Sequence, residues 1–131
     1  MTTELTYLAL TLVLALLQIF LPAGARTAEF GSKWNAGPRD QTPTSVRPLT
    51  GRLERAQANL YETLPLFIGA VLVAHLIQAS GPLTVWGTTL FFWARVVYLP
   101  LYALGVPYIR SLVWLVSLAG LVMVLAALFL T

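Results

Sequence analysis

The sequence predicts an all-α integral membrane protein, built as an up-down-up-down four-helix bundle. Three observations predict it. Hydrophobic residues make up 58% of the 131 residues and charged residues 10%, whereas a soluble domain carries about 25% charged residues. Apolar residues collect into four blocks, each long enough to cross a bilayer. Two of the three connectors are short turns, and short turns join antiparallel neighbours. The mean hydropathy of +0.79 leaves too little polar surface to wrap a water-soluble globule. An ordinary soluble enzyme, a disordered chain and a zinc finger are thereby excluded. One domain over 1–131 accounts for the length.

The first block runs from Leu5 to Ala23, interrupted only by Thr6, Tyr7, Thr11 and Gln18. About 19 residues at ~1.5 Å each cover the ~30 Å hydrocarbon core. Ala23-Gly24-Ala25 resembles a signal-peptide cleavage site. Met1-Thr2-Thr3-Glu4, however, carries no basic residue, and the apolar run exceeds the usual ~7–15 residues, so a retained helix is expected. A polar connector is expected over 24–51, with Pro38, Pro43 and Pro48 breaking any long helix. The second block spans 52–78 and is polar in its first third. The third spans 83–104 and the fourth 108–130. In a bilayer each must be helical, because its backbone groups find no water partner there.

The pI of 9.7 suggests nucleic acid at first sight. The net charge is only +3, and the eight basic residues fit membrane topology better. Arg26, Lys33, Arg39, Arg47, Arg52, Arg55 and Arg110 fall on the side of the first and third connectors. The other side has none. The positive-inside rule places the cationic side in the cytoplasm and both termini outside. Cysteine is absent, so any thiol chemistry requires a thiol carried by a ligand. The single histidine, His75, excludes a multi-histidine metal centre.

Ionisable residues inside a span are costly and are candidates for function. Arg52, Arg55, Asn59 and Glu62 sit at i, i+3, i+7 and i+10, within about 80° on one helix face. Arg95, Tyr98 and Tyr102 share a face of the third helix. Glu62 and Arg95 both lie roughly 15 Å below the cationic end. Arg110 starts the fourth helix at that same end. Three helices thus offer one cation-rich cluster opening to the cytoplasm. Arginines suit carboxylate or phosphate, a glutamate suits an amine, and Asn59 can orient an amide. That set fits a small zwitterionic peptide with excess negative charge. A plainer reading also stands: Arg95 and Glu62 neutralise each other, Arg52 and Arg55 snorkel to headgroups, and the tyrosines form an interface belt.

Pro65 and Pro100 each free a carbonyl near this cluster. His75 lies toward the opposite leaflet and reads as structural or interfacial. Trp86, Trp93 and Trp114 read as lipid or packing residues. Ser117, Gly120, Ala126 and Ala127 allow close helix contact. Because the charges occupy one leaflet, no polar path crosses the membrane, which argues against a channel or transporter.

Arg52-Leu53-Glu54-Arg55-Ala56-Gln57-Ala58-Asn59-Leu60-Tyr61-Glu62-Thr63-Leu64-Pro65-Leu66-Phe67 resembles the second-helix signature of the MAPEG family, the membrane-associated proteins in eicosanoid and glutathione metabolism. Ala94-Arg95 with Tyr98 and Tyr102 resembles the third-helix pattern, and Tyr108-Ile109-Arg110-Ser111 the start of the fourth helix. Gly37-Pro38-Arg39-Asp40 resembles a first-loop element of prokaryotic members. The resemblance covers essentially the whole chain. Thr63 departs from it, standing where some animal members place tyrosine, and Arg26 matches a loop arginine only loosely.

The resemblance implies a homotrimer in a bacterial inner membrane, with glutathione bound between subunits in the cytoplasmic leaflet. Arg52, Arg55, Asn59, Glu62, Arg95, Tyr98 and Tyr102 would hold glutathione as co-substrate. Arg110 with Ser111 would stabilise its thiolate. The implied activity is a transferase or peroxidase acting on hydrophobic electrophiles or lipid hydroperoxides. The alternative is a non-catalytic membrane protein of the same fold, a ligand sensor or a subunit of a larger assembly.

Overall fold

The structure is a computed structural model that describes the chain except residues 32, 34, 35, 39–46 and 131. Four long helices make up the described residues: α1 (Thr3–Phe30), α2 (Pro48–Leu76), α3 (Pro82–Ala103) and α4 (Ile109–Leu130). Cross-contacts fix their directions. Glu4, at the start of α1, meets Thr84 at the start of α3, while Arg26 near the end of α1 meets Glu54 near the start of α2. Arg55 near the start of α2 meets Tyr102 near the end of α3. Neighbours in sequence are therefore antiparallel, as expected.

The helix ends differ from the sequence reading, and the polar connector is shorter than 24–51. α1 continues through Gly24 to Phe30 because its last turns are held from outside. Arg26 pairs with Glu54 at 2.9 Å, and Leu21 and Ala25 pack against the cluster of Leu14, Leu53 and Phe92. The helix stops at Gly31, whose φ of +90° suits glycine and whose amide donates to the Thr27 carbonyl. Pro48 opens α2 at the position where its missing N–H costs nothing. The Arg47 amide just before it donates to both carboxylate oxygens of Glu29, at 2.6 and 2.9 Å. α2 ends slightly early, with Gln78 at φ +57° and the Ala79 amide returned to the Ala74 carbonyl. The loop element ending in Arg39 and Asp40 lies outside the described residues, as does Pro43.

Three helices, α1, α2 and α4, are long and apolar enough to cross a membrane. α3 has the length, but its most apolar stretch is less apolar than those of these three. Thr84, Thr88, Arg95 and Tyr98 dilute it, and all four are buried. Its polar groups turn toward the other helices. α1 shows the converse pattern, exposing Leu12, Val13, Leu16, Leu17 and Phe20 along its length.

Two apolar clusters fill the interior. In one, Phe67 and Phe91 stack at 4.0 Å between ring centres, with Leu60, Val71, Leu121 and Val124 around them. The other joins Leu14, Leu53, Ala56, Phe92 and Leu99. α3 and α4 meet backbone to backbone. A Cβ on Gly120 would stand 2.5 Å from the Gly87 carbonyl oxygen and 2.8 Å from the Phe91 amide nitrogen. Ser117, Gly120 and Ala127 are all buried. The small residues of α4 thus serve a contact within the chain.

Candidate functional site

The site forms where α2, α3 and α4 meet near the α3–α4 turn. Asn59, Tyr98, Tyr102, Arg110, Ser111 and Trp114 line a cavity of about 270 Å³. α3 supplies the two tyrosines one turn apart, so they stack edge to face at 5.5 Å between centres. Gly105 ends α3 at φ +71°, with the Val106 amide returned to the Leu101 carbonyl. That turn delivers Arg110 and Ser111 into the first turn of α4, beside the tyrosines. First-turn amides lack acceptors within their helix and favour an anion.

Cations surround Tyr102. The Arg110 guanidinium carbon lies 4.6 Å from the ring centre and that of Arg55 lies 6.0 Å away. Arg55 Nε also donates to the Tyr102 hydroxyl at 3.3 Å. Two guanidiniums thus stand close to one ring, beside a pocket carrying hydroxyls and an amide. The chemistry of this set suits an anion that also needs hydrogen bonds.

Not every expected residue lines the cavity. Arg95 is 2% exposed and sits behind it. Its Nη1 donates to Asn59 Oδ1 at 2.8 Å, and its guanidinium lies 4.6 Å from the Tyr98 ring centre. Arg95 is therefore satisfied by an amide and a ring, and its hydrogen bond goes to Asn59 where a Glu62 pairing had been an alternative. Glu62 is exposed on α2, outside the lining, though close enough for its charge to act on Arg95. Arg52 turns onto the α3–α4 turn, where a Cβ on Gly105 would stand 2.7 Å from its guanidinium carbon. It braces that turn. Thr63 is buried and donates to the Leu60 carbonyl.

Trp114 was read as a lipid or packing residue, and the structure places it on the cavity wall. The signal was present: it follows Arg110 by four residues, so both share a helix face. Arg26, loosely matched in sequence, is spent on Glu54.

The Asn59–Arg95 contact yields a test. Asn59→Leu leaves a buried guanidinium without its hydrogen bond, a loss of about 1–3 kcal/mol. Asn59→Asp keeps an acceptor and adds a charge. Thermal unfolding in detergent should show the leucine variant well below wild type and the aspartate variant close to it.

The sequence model of the MAPEG family matches residues 7–130, nearly the whole chain. The chain therefore belongs to the MAPEG family, and with its apolar helices it is a membrane protein of that family, which includes glutathione-dependent enzymes. No curated protein matches the chain, and no solved structure does.

Proposed function

We propose that the protein is a glutathione-dependent membrane enzyme, a transferase or peroxidase that presents the glutathione thiolate to hydrophobic electrophiles or lipid hydroperoxides. The observation that carries this reading is the placement of Arg110 and Ser111 on one cavity with Tyr98, Tyr102 and Asn59. The donor set fits a peptide with two carboxylates, one amine and one ionisable thiol. Asn59, Tyr98 and Tyr102 hold its polar backbone. Arg55 and Arg52 attract its carboxylates, and Glu62 its amine. Arg95 positions Asn59 and Tyr98 from behind. Arg110, Ser111 and the first amides of α4 lower the thiol pKa from the ~8.5 of a free thiol, which raises the nucleophilic fraction at neutral pH.

A homotrimer belongs to the same reading. Arg55 and Glu62 are exposed on a helix apolar enough to lie in a membrane, and uncovered charges there are costly. A ligand capped by a second subunit covers them. α3 crosses the membrane as a fourth span in this reading, because α2 and α4 both begin at the cationic end and the chain must return between them. The cationic end faces the cytoplasm of a bacterial inner membrane, with both termini outside. The chain forms a single membrane domain.

An apolar groove of about 260 Å³, lined by Leu90, Trp93, Ala94, Val97, Val113 and Val116 with Thr89, lies on α3 and α4, which also carry most of the cavity. Val97 neighbours Tyr98, and Val113 neighbours Trp114. It offers the apolar second substrate an approach from lipid.

The test is a titration of detergent-solubilised protein with glutathione at neutral pH, following thiolate absorbance in the ultraviolet. A saturable signal is expected, with turnover of hydrophobic electrophiles beneath it. Absence of both binding and thiolate signal sinks this reading and favours a non-catalytic protein of the family.

A further inference from the structure

The end of the bundle opposite Arg110 holds a second cavity of about 430 Å³, with Ala74 and Leu76 among its walls. Thr2 and Glu4 reach it from the start of α1, His75 from the last turn of α2, and Gln78 and Ser80 from the α2–α3 turn. Glu4 is 7% exposed. Ser80 Oγ and Thr84 Oγ1 donate to its carboxylate, and both bonds land on Oε2, at 2.5 and 3.1 Å. Among the described residues no hydrogen bond is made to Oε1.

A mostly buried carboxylate with one oxygen free of hydrogen bonds gains from a cation placed at that oxygen. No Lys or Arg lines the cavity. The described ion pairs, Arg26 with Glu54 and Arg47 with Glu29, lie at the other end of the bundle. α2 ends here while α1 and α3 begin here, so helix ends of both signs meet at the cavity. Ser80 is engaged as a donor to Glu4, and the Gln78 side-chain carbonyl offers an acceptor on the same cavity. A carboxylate oxygen without a hydrogen bond and an amide carbonyl on one cavity suit a compact cation with several N–H donors.

We propose that this cavity binds a primary ammonium group, seated on the free oxygen of Glu4. Depth limits the source of that group. The apolar run of α1 begins at Leu5, next to Glu4, and that of α2 ends at Ile77. The cavity therefore stands at the level of lipid headgroups. The ammonium belongs either to an aminophospholipid headgroup or to a free amine in the water beyond it. The site is independent of the thiol reading, because it shares no residue with the Arg110 cavity.

The test uses full-length protein exposed to vesicles of phosphatidylethanolamine, phosphatidylcholine or phosphatidylglycerol, with retained lipid read by native mass spectrometry. Free ethanolamine is titrated separately. Phosphatidylcholine is the informative control, since its quaternary ammonium has no N–H. Glu4→Gln keeps an acceptor for Ser80 and Thr84 but removes the charge, and should weaken binding by about tenfold or more. Gln78→Lys leaves Glu4 intact and places a tethered ammonium in the cavity, so it should block binding without loss of thermal stability. Preferential retention of phosphatidylethanolamine, lost in both variants, establishes the lipid source. Saturable ethanolamine binding without lipid preference, again lost in both, establishes the free amine. If wild type shows neither, or if either variant binds as wild type does, the proposal is overturned and Glu4 only joins α1 to α3.

Discussion

Arg110→Ala should abolish most turnover while leaving glutathione bound. The argument starts from ionisation. A thiol with a pKa near ~8.5 is only about 3% thiolate at pH 7, whereas one lowered to ~6.5 is about 75% thiolate. Arg110 is placed for that shift, on the first turn of α4 and 4.6 Å from the Tyr102 ring centre. Removing it withdraws the cation but leaves Asn59, Tyr98, Tyr102 and Arg55 to hold the peptide. Loss of one such stabilising donor commonly costs about 10²–10³ in kcat. The pH dependence supplies the sign. Activity follows the thiolate, so it rises through the pKa of the bound thiol. In the variant that rise moves up toward ~8.5, and part of the lost rate returns in alkaline buffer. Equal loss at all pH values, together with lost glutathione binding, would instead make Arg110 a binding residue.

Gly120→Ala should be the most damaging glycine-to-alanine substitution among the described residues. The added carbon meets the Gly87 carbonyl oxygen at 2.5 Å and the Phe91 amide nitrogen at 2.8 Å. Both are backbone atoms of α3, so no side chain can rotate away. The helices must separate, and overpacking of this kind costs about 1–3 kcal/mol. The damage should also reach the site, roughly 15 Å away along α4. α3 carries Tyr98 and Tyr102, while α4 carries Arg110, Ser111 and Trp114, and their spacing defines the cavity. Thermal unfolding and glutathione affinity should therefore fall together. Gly69→Ala is the control, since a Cβ there meets nothing within 4 Å and alanine favours a helix.

The four helices were legible because apolar blocks and tight turns are local signals. Gly81-Pro82 and Gly105-Val106-Pro107 mark two of the breaks in the sequence itself. The ends of α1 and α2 were not legible. They depend on Arg26 meeting Glu54 and on Glu29 meeting the Arg47 amide, contacts between distant positions that no window reveals. The site was legible as a list and as a depth, since helical periodicity collects Arg55, Asn59, Tyr98, Tyr102 and Arg110 at one end. Rotation about each helix axis was not. Asn59 and Glu62 stand about 60° apart on α2, and only packing decides that Asn59 meets Arg95 while Glu62 looks outward. The Glu4 cavity was overlooked because its members come from three separate segments and share no spacing.

The closure of Glu29 on the Arg47 amide has a consequence for how this chain can change. That contact and the Arg26–Glu54 pair fasten the two ends of the first connector to the helices themselves. The register of α1 on α2 is then set at the fastening points, whatever residues lie between them. A change in the first connector that spares Arg26, Glu29, Arg47 and Glu54 should accordingly leave the arginines of α2 in their places. The connector is the part of the chain through which descendants could acquire new attachments without disturbing the helices behind it.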